Sequence, residues 1–284
     1  MDVRIILAIT CALLVEVAGP AVPAIQAQWI EKPRKGWIQA ALYRHETSTV
    51  FDEKGSREQI FNNGHAETTS LFLTAAGGLI HGMDVWVQVP FHHLVFEDNL
   101  DRRRRTGVGD PRIFVRIGPE LVRLRAVPVA VRAGVKLIGG DFPVDAEIIP
   151  LGEGQRDWEV MAEAGHSFFP LPAYMMGWIG YRWRETNHEA AWKPGNEAFA
   201  YLAAGGALFG TQWKVAVEGW RGESPVIQGF TIPSARREML QIFPTLGWSI
   251  GPGAIEFGLR LPIAGRNLPA RPALMLGYFT RWSF

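Results

Sequence analysis

The stretch that starts at Ala126 places Val127, Val129, Val131, Val135 and Leu137 at one parity and Arg132, Gly134 and Lys136 at the other. Successive side chains of an extended strand point to opposite faces, so one face here is apolar and the other holds two cations. Cations in the middle of an apolar strand require a wet face. The pattern recurs: Met83, Val85, Val87, Val89 and Phe91 oppose Asp84, Gln88 and His92, and Ile113, Val115 and Ile117 oppose Arg112 and Arg116. Ile255, Phe257, Leu259 and Leu261 oppose Glu256 and Arg260, Trp213, Val215 and Val217 alternate with Gln212, Lys214 and Glu218, and Trp158 and Val160 alternate with Glu159 and Glu163. Twelve such segments of roughly 8 to 13 residues start near Trp37, Ala66, Met83, Pro111, Ala126, Gln155, Ala173, Asn196, Leu208, Arg237, Gly253 and Arg271. Membrane-crossing strands need about 9 to 11 residues, so the lengths fit.

No run of about 18 apolar residues occurs after residue 27, which argues against helical spans there, yet 48% of the chain is hydrophobic and 11% aromatic. A closed barrel is the membrane architecture that hides its hydrophobicity in alternation. The predicted fold class is therefore all-β, a transmembrane antiparallel up-and-down β-barrel of about 12 strands, apolar outside and polar inside. A soluble β-sandwich also alternates and is the competing all-β reading. The end of the chain favours the barrel: Leu274, Leu276, Tyr278, Trp282 and Phe284 alternate with Ala273, Met275, Gly277, Arg281 and Ser283, as a closing strand would. Phe284 is then expected to engage the barrel-assembly machinery.

Asp2 and Arg4 precede an apolar run from Ile5 to Ala18, and Pro20 and Pro23 lead to the small-residue context Ile25-Gln26-Ala27. Residues 1–27 read as a cleaved secretory signal and residues 28–284 as one barrel domain without a linker or charge block to divide it. Cys11 leaves with the signal, so no disulfide supports the exported chain. Loss of Asp2, Arg4 and Glu16 leaves a net charge of about +2, which gives no sign of nucleic-acid binding. The localisation expected is the outer membrane of a Gram-negative bacterium.

Connections around residues 45–64, 97–110, 139–154, 185–195 and 221–236 are long and polar, whereas those near 77–82, 118–125, 165–172, 205–207 and 249–252 are short. That contrast places the termini and short turns in the periplasm and the long loops outside. Trp183, Trp220 and Trp158 fall at one level and Trp37, Trp248 and Trp282 at the other, the positions of two aromatic girdles.

Six segments carry a resemblance: 82–90 (GMDVWVQVP), 107–112 (GVGDPR), 134–137 (GVKL), 151–158 (LGEGQRDW), 180–184 (GYRWR) and 194–197 (PGNE). In this order the chain, from about Ala66 onward, resembles the outer-membrane β-barrel family named for a role in the meta-pathway of phenol degradation, grouped loosely with outer-membrane transporters of hydrophobic compounds. The resemblance implies the barrel fold and passage of small hydrophobic or aromatic molecules. Read from the residues alone, Gly107, Gly109, Gly139, Gly140, Gly152 and Gly154 flank loop-to-strand junctions that need a positive φ or a sharp bend.

The inward parity carries the candidate lumen residues Asp84, Gln88, Arg112, Arg116, Arg132, Lys136, Glu159, Glu163, Arg182, Lys214, Glu218, Glu256, Arg260 and Arg281. They form either an ion-paired plug, with Arg132 and Glu159 as one pair, or a narrow polar passage whose charges set selectivity. The function expected is a passive transporter or channel for small molecules, without cofactor, metal or catalysis. The alternatives are a closed structural barrel and an outer-membrane hydrolase at the outer rim near His92 and His93 or Asn187 and His188. No Ser lies beside either pair in the local sequence. Arg102, Arg103, Arg104 and Arg105 are expected to lie in the loop after the third strand, where they contact the phosphates of lipopolysaccharide, with outer-membrane lipids around the barrel.

Overall fold

The computed structural model describes residues 30–121, 129–140, 142 and 149–283. The signal segment 1–27, the start of the Ala126 segment and Phe284 lie outside the described residues. Twelve barrel strands follow one another: β1 (Lys35–Thr47), β2 (His65–Ile80), β3 (Met83–Glu97), β4 in two pieces (Arg102–Val108 and Arg112–Ile117), β5 (Val129–Lys136) and β6 (Asp157–Ser167). β7 (Ala173–Arg184), β8 (Glu197–Leu208), β9 (Thr211–Gly222), β10 (Glu238–Ile250), β11 (Gly253–Arg266) and β12 (Ala273–Ser283) complete the wall. Each pairs antiparallel with its neighbour in sequence, and β1 pairs with β12 from Lys35 opposite Ser283 to His45 opposite Ala273. The cylinder is closed and has no free edge. A sandwich of two sheets is thereby overturned.

Alternation becomes geometry in this wall. Val129 and Val131 point outward while Ala130 and Arg132 are buried inside, and Val131 is 49% exposed against 8% for Arg132. Ile38, Leu73, Val87, Val115, Ile179, Leu202, Val215, Leu246, Phe257 and Leu276 likewise stand exposed on the exterior. An apolar belt of this extent on a closed cylinder matches a lipid environment, not water.

β4 corrects the expected long loop at 97–110. Residues 98–101 alone make the turn, where Asp98 Oδ1 accepts the amide hydrogens of Leu100 (2.8 Å) and Asp101 (3.0 Å). Arg102–Val108 then pairs along the far half of β3, and Arg112–Ile117 pairs along its near half. The arginine run is strand because β3, 15 residues long, offers a ladder beyond the apolar belt where outward charges meet no lipid. The strand breaks at residues 109–111. Pro111 has no amide hydrogen to give, and a Cβ on Gly109 would lie 2.5 Å from the His92 ring.

The turn placed at 205–207 sits instead at residues 209 and 210, with Phe209 at φ 50° and Gly210 at φ 78°. Gly205 is within β8 because the Tyr174 ring lies over it, 2.6 Å from where its Cβ would be. Of the six junction glycines, Gly154 has a positive φ (70°). The others make room for close neighbours.

At the opposite end from the tight turns, Thr49–Phe51 pairs with Arg57–Gln59 and Leu268–Pro269, and Val226–Ile227 pairs with Trp192–Lys193 and Phe230–Thr231. The loops thus fold into two small sheets above the rim. Asp110 anchors a third loop: its carboxylate accepts the amides of Gly139 (3.1 Å), Gly140 (3.1 Å) and Glu153 (2.8 Å).

Candidate functional site: the barrel lumen

All fourteen candidate lumen residues lie on the inner parity of their strands, but they divide into two walls of different chemistry. Between β3 and β8 the charges pair with one another. Deepest, near the tight turns, Arg116 donates to both oxygens of Asp84 (2.6 and 3.2 Å) and approaches Glu163 (3.5 Å), which also pairs with Arg132 (2.5 Å). Arg132 thus takes Glu163, not Glu159, as its partner. Neighbouring strands set this choice: Ala130, two residues before Arg132, is opposite Glu163 in the β5–β6 ladder, so the long guanidinium reaches back along its own strand.

Above this tetrad, Glu159 accepts from Arg112 (3.2 Å) and Arg182 (2.7 Å), and Arg182 also pairs with Glu197. Toward the loop end Arg184 joins Glu197 (3.1 Å), Asp157 (3.4 Å) and Glu153, while Lys136 joins Asp157 (3.1 Å), Asp110 (3.3 Å) and Glu153. Burial alone would raise the Glu153 carboxyl, but Arg184 and Lys136 beside it outweigh burial and hold it well below the usual carboxylate range. Removing one member of such a network strands a buried charge, so this wall is built for rigidity.

The wall from β9 to β12 is different. Among the described residues Lys214, Glu218, Glu256 and Arg260 have no ion-pair partner within 4.0 Å. Glu218 accepts from Gln241 (2.6 Å) and Glu256 from Gln39 (3.4 Å). Arg281 stands near the tight-turn mouth, 3.7 Å from Glu31.

Aromatic rings interleave with both walls. Trp37 meets Trp86 edge-on at 4.8 Å, and the Arg116 and Arg132 guanidiniums each lie 4.8 Å from the Trp86 ring. Trp178 stacks on Tyr201 at 3.8 Å because the two are directly opposite in the β7–β8 ladder. Trp37 and Trp220 therefore line the lumen and leave the expected girdles: Trp220 shares its parity with Lys214 and Glu218, Trp37 with Gln39. Trp158, Trp183 and Trp248 stand exposed on the exterior.

A cavity of about 620 Å³ runs between the walls, from Glu153 and Arg237 at the loop end down to Trp37 and Trp86. Gln88, Arg112, Arg132, Glu159, Arg182, Glu218 and Arg260 border it, whereas Asp84, Arg116 and Glu163 lie buried below it. Residues before β1 tighten that floor. The Glu31 amide donates to Asp84 Oδ2 (2.9 Å), and Lys32 packs so closely on Gly78 that a Cβ there would meet its carbonyl at 2.2 Å.

Two placements had no signal in sequence spacing. Ser70 Oγ lies 2.7 Å from His92 Nδ1, since Ser70 and His92 face each other across the β2–β3 ladder, 22 residues apart. Neither borders the lumen cavity. Asn187 is buried and bonds the Glu153 carbonyl (3.3 Å), serving the loop. In the arginine run, Arg102 and Arg104 point outward, whereas Arg103 turns in over the Phe96 ring (5.1 Å) and Arg105 reaches the Ile149 carbonyl (3.3 Å).

No protein-family model and no curated protein matches the chain. Among solved structures it is similar to an outer membrane channel from Pseudomonas putida F1, with 15% identity, a TM-score of 0.73, and 93% of this chain and 100% of that one covered. It is also similar to the β domain of the Bordetella autotransporter BrkA, at 10% identity and a TM-score of 0.54, covering 88% and 99%. The fold defined here is that of the outer-membrane β-barrels.

Proposed function

We propose that this chain is an outer-membrane protein, exported by a signal at residues 1–27, that passes small molecules with aromatic character through its lumen. The observation that carries this reading is the cavity of about 620 Å³, lined by Trp37, Trp86, Phe114, Trp178, Phe199 and Trp220 together with guanidinium groups. A cavity of this size suits ring-sized ligands, and its six aromatic side chains offer apolar faces among thirteen polar or charged ones that would fix a ligand's orientation. The likeness to a protein described as an outer membrane channel agrees with it, as does the resemblance to the phenol meta-pathway family.

A closed structural barrel is the second reading, favoured by the buried Asp84, Arg116 and Glu163 beneath the cavity. Single-channel recording and flux of aromatic solutes into liposomes separate the two. Low but measurable conductance with flux supports passage; absence of both leaves the structural barrel. A hydrolase at Ser70 and His92 finds no support in their position outside the cavity, and Ser70→Ala is expected to leave flux unchanged.

Arg102 and Arg104, outward beyond the apolar belt, are proposed to contact lipopolysaccharide phosphates, and Phe284 to engage the assembly machinery.

A further inference from the structure

The three cavity carboxylates on the paired wall, Glu153, Glu159 and Glu197, each bind at least two cations of that wall. Their arginines are therefore neutralised in place. Arg260 is not. Its guanidinium lies over the rings of Tyr43 (4.7 Å) and Phe243 (5.4 Å), and its Nε is buried without a hydrogen-bond partner. A buried donor is costly to leave unmade, and the exceptions in a folded protein call for an explanation.

The rings of Tyr43 and Phe243 explain its position: they cover Nε and hold the guanidinium where it borders the cavity, and the fork of its terminal N–H groups matches a planar carboxylate. Lys214 Nζ lies 5.9 Å from the same Phe243 ring and is a second cation of this wall without an ion pair within 4.0 Å. The nearest acids of this wall, Glu218 and Glu256, are engaged by the amides of Gln241 and Gln39 and lie beyond 4.0 Å of Arg260.

We infer that Arg260 is a carboxylate-binding subsite in the lumen, and that the cavity selects aromatic carboxylates over neutral aromatic compounds. The inference rests on the passage reading for its biological meaning, and it specifies the substrate class of the same cavity. The rings of Trp37, Trp86 and Trp220 would receive the apolar body while Arg260 holds the anionic end. No covalent step is involved.

The experiment is a titration of the refolded full-length barrel in detergent micelles, read by tryptophan fluorescence and by calorimetry, with benzoate, its neutral counterpart benzamide, and acetate. Benzoate is expected to saturate at least about tenfold more tightly than benzamide or acetate, since a charge-assisted bidentate pair and ring contact are needed together. Arg260→Gln should erase the preference of benzoate over benzamide. Arg260→Lys, which keeps the charge but not the fork, should weaken benzoate while retaining part of the preference. Glu218→Gln should tighten benzoate.

Equal affinity for benzoate and benzamide in the wild type overturns the inference. So does an unchanged preference in Arg260→Gln, with folding of each variant checked by its slower gel migration after boiling. Binding is measured without flux, so a barrel that binds benzoate through Arg260 but conducts nothing sinks the passage reading alone. A conducting barrel indifferent to the carboxylate sinks the subsite alone.

Discussion

Single residues in this wall answer to two different media. Val131 stands 49% exposed on the exterior and Gln88 borders the lumen cavity. Val131→Arg should therefore cost about 2–4 kcal/mol if the residue sits near the bilayer midplane, measured as a shifted urea midpoint for refolding into lipid vesicles. Gln88→Lys, which faces water-accessible space, should shift it much less. At the rim, Glu153 predicts a pH effect. Its folded-state pKa is depressed, so its contribution is complete above the ordinary glutamate range and is lost as pH falls below that range. The loop it anchors with Lys136 and Arg184 should become progressively protease-sensitive as the pH falls below the ordinary glutamate range while the barrel wall stays closed, and Glu153→Gln should show that sensitivity already at neutral pH. Equal cleavage of the two proteins at neutral pH would remove Glu153 as the anchor.

At the level of elements, most strand positions were legible because a period of two with charge on one parity admits a single register. Misplaced elements were those set by partners distant in sequence. The arginine run reads as loop on composition, and only the excess length of β3 makes it strand. Gly205 and Gly206 read as a turn, whereas the Tyr174 ring across the ladder is what requires glycine at 205. The pairing of Arg132 with Glu163 and of Ser70 with His92 depends on ladder register, which spacing along the chain does not carry. The alternation within Arg102–Val108 makes its own prediction. Replacing Arg102 and Arg104 with Gln should weaken lipopolysaccharide binding, more so at low salt, because exposed ion contacts are screened. Replacing Arg103 and Arg105, which turn toward Phe96 and Ile149, should loosen the rim and leave that binding intact. Equal loss from both pairs, or none from either, would remove the outward arginines as the contact.

For the whole molecule, closure without an edge and an apolar exterior predict that the protein fractionates with the outer membrane and runs faster on SDS gels before boiling than after. Release by osmotic shock would contradict the membrane reading. The lumen sets the harder question, because one cylinder holds both a cavity that reaches the loop end and a packed floor. That floor has two layers: Trp37 against Trp86, and beneath them Asp84, which accepts from Arg116, Trp86 and the Glu31 amide. Deleting the buried charges would leave partners unpaired and unfold as readily as open the wall, so they are poor probes of passage. The tryptophans are better ones, since truncating them removes ring volume and leaves Asp84 its Arg116 and Glu31 donors. Trp37→Ala combined with Trp86→Ala should raise single-channel conductance several-fold, because a narrow constriction limits current and the vacated space fills with water. The same double variant should lose selectivity among aromatic solutes. If the conductance stays at the wild-type level while gel migration shows the barrel folded, the constriction lies below, at Asp84 and the residues before β1. Shortening the chain ahead of Lys35 would then be the change that opens it.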